Sequence, residues 1–110
     1  MTLKSLEKKA DKLVWNYQKP CEICGNQDSS PHHRWSRRFT GLRWELRNIV
    51  WLCVSHHTSG DFSAHGSPKA FKRWFKGIRP DDHEYLLEKK NEISKFTKED
   101  MKNIIEELNG

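Results

Sequence analysis

"WLCVSHHTSGDFSAH", residues 51–65, carries one of the three cysteines and three of the six histidines of a 110-residue chain. Thiolate sulfur and imidazole nitrogen are the ligands that zinc prefers. Within the stretch, Cys53 and His56 enclose two residues, and upstream "CEICG" repeats that gap with Cys21 and Cys24. The full spacing, Cys-x2-Cys-x28-Cys-x2-His, uses every cysteine of the chain and closes a tetrahedral zinc site. Gly25 follows the second cysteine, where the knuckle backbone needs freedom. A zinc with four protein ligands has no open position, so this one is structural. It would pin the loop after residue 20 to the segment ending at Cys53, and losing a ligand should unfold that region.

Immediately before Cys53, "LRNIVWLC" is the one run that reads as a strand, with Ile49, Val50, Trp51 and Leu52 in succession. "HRWSRRFTGLRWEL" reads as a strand or loop with a turn at Gly41. Helical periodicity flanks this region. Leu3, Leu6, Ala10, Leu13, Val14 and Tyr17 recur at helix spacing over residues 3–17, and Pro20 ends that helix. Ser67 and Pro68 open a second helix with Phe71, Trp74 and Phe75 on one face. Asp81 with Glu84 marks a helix over residues 82–94, and Thr97 with Asp100 caps another before Met101, Ile104, Ile105 and Leu108. The fold class expected is α+β in one domain. It comprises an N-terminal helix over 1–19, a zinc-stapled core over 20–76 and a helical extension over 81–108.

Only 35% of the residues are hydrophobic and 32% are charged, so a metal staple would supply stability that a small core lacks. Residues 1–80 hold 15 Lys and Arg against 6 Asp and Glu, a balance of +9, whereas residues 81–110 hold 5 against 9, a balance of −4. A basic body suits a polyanion partner. The first residues show no apolar signal segment, and no run reaches the roughly 20 apolar residues of a membrane span.

His32, His33, His57 and His65 remain outside the zinc set. Four histidines within 34 residues fit a second, open metal site with a general base; the plainer alternative is exposed loop histidines. "CEICG", "HHRWSRR", "LRWELRNIVWLCVSHH" and "SAHGSPKAFKRWF", in that order over residues 21–76, resemble an HNH nuclease. The resemblance is to small phage-type HNH proteins, including phage recombination nucleases of the NinG/Rap kind. It implies a ββα-metal core, in which two short strands and a helix hold one divalent ion (Mg2+, Mn2+, Ni2+ or Zn2+). It assigns His33 as general base, Asn48 as the residue that orients the base and steadies the loop, and His32, His57 and His65 as metal ligands. Asp61, one helical turn after His57, is the reserve for the last ligand. His56 stands where the family usually has a fourth zinc cysteine. A cytoplasmic phage or prophage protein in a bacterial host is the implied setting.

Arg34, Arg37, Arg38, Arg43 and Arg47 fall within fourteen residues, and a planar guanidinium suits phosphate. Arg37 or Arg38 is the candidate for the scissile or adjacent phosphate. Lys69, Lys72, Arg73 and Lys76 lie along the helix after His65 and suit a flanking DNA backbone, or else form a solvated face. Trp35, Trp44, Trp51 and Trp74 are expected in the core rather than stacked on bases, and His83 on the surface. The expected function is a metal-dependent DNA endonuclease, with branched DNA among its substrates. The rivals are a non-catalytic zinc module that binds nucleic acid and a nuclease directed at RNA. A junction-cutting enzyme would be a homodimer, with the terminal helices as one candidate interface.

Overall fold

Ile49–Leu52 forms strand β2, and all four of its residues are buried. A continuous apolar run of this kind is what a strand covered on both faces needs. Ser30–His33 forms strand β1 and pairs antiparallel with β2, in the register Ser30 with Leu52, Pro31 with Trp51, His32 with Val50 and His33 with Ile49. The computed structural model describes residues 1–59, 63–92 and 95–110. Among them the chain is α+β, with this two-stranded sheet and four α-helices.

Side chains alternate across β2, and each face meets its own core. Ile49 and Trp51 join Leu6, Ala10 and Val14 of helix α1 (Leu3–Val14) and Met101, Ile105 and Leu108 of helix α4 (Lys98–Leu108). Val50 and Leu52 join Phe71 and Phe75 of helix α2 (Pro68–Ile78) and Leu86 of helix α3 (Pro80–Lys89). The two terminal helices therefore spend their apolar faces on the sheet and on each other within one chain. No helix among the described residues is long and apolar enough to cross a membrane.

Local chemistry explains where the helices begin. Thr2 accepts a hydrogen bond from the Ser5 amide and caps α1, and a 3-10 turn over Trp15–Tyr17 closes it. Thr97 and Asp100 form a reciprocal capping box at α4, as their spacing predicts. Helix α3 departs from expectation. It begins at Pro80 rather than at residue 82 and ends at Lys89, because Pro80 supplies the first-turn φ and Asp81 and Asp82 answer the helix dipole there. Residues 93–94 of the expected helix lie outside the described set.

Between α2 and α3, Arg79 staples helices to sheet. Its guanidinium donates to the Ile49 and Arg47 carbonyls at 3.0 and 2.9 Å and pairs with Glu22 and Asp82 at 3.3 and 2.8 Å. Residues 34–48 form a loop with 3-10 turns at Thr40–Leu42 and Leu46–Asn48. His83 is buried at 5% exposure, which corrects its surface assignment: it faces inward on α3, three residues before the core residue Leu86. Trp44 and Trp51 are buried and Trp35 and Trp74 pack against the second core, so the tryptophan expectation matches.

Candidate metal centres and the basic loop

The knuckle comes first. Cys21 N donates to Asn26 O, and Gly25 N donates to Cys21 O with Gly25 at φ +80°, the left-handed conformation that a glycine adopts without strain. Glu22 N donates to Trp51 O and Glu22 Oε2 accepts from Trp51 N, which docks the knuckle on β2. Cys53 follows that strand directly, and a π-type turn over Ser55–Ser59 brings His56 back toward it. The result is a four-ligand group of Cys21, Cys24, Cys53 and His56 whose ligand atoms all lie within 4.8 Å of one another.

Edge lengths test the donor set. Cys24 Sγ and Cys53 Sγ are 3.7 Å apart, and His56 Nδ1 is 3.7 Å from Cys21 Sγ and 3.3 Å from Cys53 Sγ. Tetrahedral zinc with Zn–S near 2.3 Å and Zn–N near 2.05 Å needs sulfur–sulfur edges of roughly 3.8 Å and sulfur–nitrogen edges of roughly 3.5 Å. The edges fit, whereas a disulfide needs about 2.05 Å. Burial raises the Cys21 thiol, but backbone N–H groups of Cys53, Cys24 and Ile23 outweigh it and hold the thiol at about 6. A thiolate is thus favoured where a cation would sit. This largely buried group can hold zinc.

Adjacent residues on a helical turn project about 100° apart, so His57 aims away from His56. Ala64 N donates to His56 O and His65 N to His57 O. These two bonds set His65 beside His57, with His65 Nε2 3.1 Å from His57 Nε2. His32, on the β1 face shared with Val50, completes a second group. Its ring centroid lies 4.9 Å from His57, 5.1 Å from His65 and 5.3 Å from Phe71. The ligand atoms of His32, His57 and His65 also lie within 4.8 Å of one another. Three imidazoles leave further positions on an ion open, unlike the Cys3His set. Burial first, then the neighbouring His57 and His65, hold the His32 imidazole at about 3, so it stays neutral and able to ligate. Asp61, the reserve ligand, lies outside the described residues.

His33 is not part of the triad. Strand alternation turns it to the α1 side, where it lines a cavity with Arg37, Arg43 and Asp11. Its Nε2 lies 2.9 Å from the Arg43 carbonyl, which places the proton on Nε2 and leaves Nδ1 bare. Burial pushes its pKa down, and the Arg43 carbonyl partly opposes that. Asn48 is fully buried and holds the loop. Its amide donates to Trp35 O and Leu42 O, and its oxygen accepts from Trp35 N.

The arginines divide. Arg43 is 18% exposed and pairs with Glu7 at 3.1 Å and Asp11 at 2.7 Å, while Arg47 pairs with Asp82 at 2.7 Å and lies 3.9 Å over the Tyr85 ring. Both guanidinium groups are thus held by carboxylates within the chain and tie the loop to helices α1 and α3. Arg37 is 56% exposed with one long pair to Asp11, and exposed Arg38 lies over Phe39. Arg34 lies over the Trp35 and Phe75 rings without a carboxylate, and its Nε is the one buried side-chain polar atom lacking a partner among the described residues. Lys69, Lys72, Arg73 and Lys76 are exposed along α2.

Sequence reasoning missed Glu7 and Asp11. Their signal was present: two acids at i, i+4 share one face of a helix otherwise rich in lysine, and so can meet a basic loop. No family model, curated protein or solved structure matches the chain.

Proposed function

We propose that the chain is a metal-dependent DNA endonuclease of the HNH type, with β1, β2 and α2 as its ββα-metal core. The observation that carries this reading is the split of the histidines into two jobs. His56 completes a closed sulfur-rich set, and His32, His57 and His65 form an open all-nitrogen set one residue from His33. A divalent ion held by those three imidazoles would supply positive charge to the scissile phosphate and its leaving oxygen.

The chain's own residues do the rest. His33 Nδ1 takes the proton of the attacking water, whose oxygen bonds to phosphorus as the leaving oxygen departs. The Arg43 carbonyl holds His33 in the tautomer this needs, and Asn48 fixes the loop that carries the carbonyl. Arg34, whose Nε lacks a partner among the described residues and whose charge acts on His32, is the strongest candidate for the phosphate; Arg37 and Arg38 are exposed at the rim.

Cleavage of matched DNA and RNA with Mg, Mn, Co, Ni or Zn is the test. The wild type should cut DNA, and His33→Ala should lose at least about 100-fold in rate, the lower end of what a general base contributes. It should keep the fold, zinc and DNA affinity. A folded wild type that binds DNA but cuts neither polymer with any of these metals would instead be a zinc-stabilised binding module.

A further inference from the structure

Beside His33 lies a cavity of about 250 Å³ that metal binding does not explain. Trp15 and Pro31 give it apolar walls, and Asp11, Arg37 and Arg43 give it a polar rim. Trp15 is 48% exposed, the only aromatic among the exposed large hydrophobic residues described. Its ring is nonetheless braced edge to face on buried Trp51, with centroids 5.7 Å apart at 69°. A tryptophan held rigid from behind and open in front is preorganised for stacking, because its ordering entropy is already spent in folding.

The size narrows the occupant. Sites for drug-sized ligands run from roughly 300 to 1,000 Å³, so this cavity suits a smaller planar fragment. Within the rim, Asp11 and Arg43 are already bonded to each other, which leaves the Arg37 guanidinium as the donor for an incoming nucleotide. Arg37, 56% exposed and held to Asp11 by one 3.3 Å contact, is free to reach the attached phosphate.

We infer that this cavity receives one unpaired nucleobase, stacked on Trp15, of the nucleotide next to the phosphate presented to His33. The inference rests on the nucleic-acid reading above, but its test does not depend on cleavage. A base inside a duplex cannot reach such a recess without leaving its stack, so binding should favour DNA with an unpaired base.

The test uses the full zinc-loaded chain carrying His33→Ala, so that bound DNA stays intact. Affinity is measured for a duplex and for the same duplex with one unpaired 2-aminopurine. The unpaired DNA should bind roughly 5- to 150-fold more tightly, the span expected of one base–aromatic stack, and the probe's fluorescence should be quenched. Adding Trp15→Ala should remove that preference and leave duplex binding unchanged, while Trp15→Phe should keep most of it. Equal binding of the two DNAs by the Trp15 protein, or a preference that survives Trp15→Ala in a folded chain, overturns the inference. Failure here leaves the cleavage reading standing, and absence of cleavage leaves this measurement readable.

Discussion

His32 and His33 are neighbours in sequence and opposites in surroundings, and their chemistry follows from the difference. The strand pleat sends His32 to the α2 side and His33 to the α1 side. His32 stays neutral because burial and two adjoining imidazoles disfavour its proton, holding it at about 3. Burial likewise pushes His33, His57 and His83 below the ordinary value of 6.5. Above pH 6.5 these groups are neutral both folded and unfolded, so the stability they confer is fully present there. As pH falls below 6.5, the unfolded chain takes up protons that the folded chain refuses. Stability should then drop toward pH 3, by at most about 1.4 kcal/mol per pH unit for each such histidine. Urea midpoints at pH 7, 6 and 5 should fall in that order. His83→Gln, which touches no proposed metal ligand, should make the fall shallower; a midpoint constant from pH 7 to 5 would contradict the assignment.

Elements show what a single chain reveals and what it hides. Strand β2, the capping box at Thr97 and the Cys3His spacing were legible because each is a local pattern with its own physical cause. The start of α3 was misread because Pro80 outranks Asp81 as a helix opener. The carboxylate partners of Arg43 and Arg47 were hidden because they lie 32 to 36 residues away, beyond the reach of any local pattern. The burial of His83 was hidden in the same way, since only tertiary packing decides which face of α3 turns inward. Asn48 makes a measurable demand on the loop. Asn48→Ala would strand the Trp35 amide and the Trp35 and Leu42 carbonyls that Asn48 now satisfies. Each buried group left unpaired costs about 1–3 kcal/mol, so a loss of roughly 3 kcal/mol or more is expected in urea denaturation. A loss under about 1 kcal/mol would mean that the loop does not depend on this residue.

For the whole molecule, charge and metal should separate cleanly. The basic residues 1–80 predict DNA binding that weakens steeply with salt. Arg34→Ala should weaken binding and flatten the salt slope by about one unit, with the melting temperature lowered only by lost packing on Trp35 and Phe75, because no carboxylate among the described residues pairs with Arg34. Arg43→Ala should instead lower the melting temperature by undoing the α1 tie through Glu7 and Asp11. Fluorescence anisotropy across a salt series and thermal melts on the same samples would check both. The two candidate metal groups share the turn over Ser55–Ser59, and His57→Ala divides them because it removes a ligand from the three-histidine group alone. Zinc content and DNA cleavage should be measured together on wild type and His57→Ala over a titration of added divalent metal. One tightly held zinc per chain retained by both proteins, with cleavage lost only in His57→Ala, is the expected result; wild-type cleavage by His57→Ala would contradict the separation of a structural from a catalytic metal.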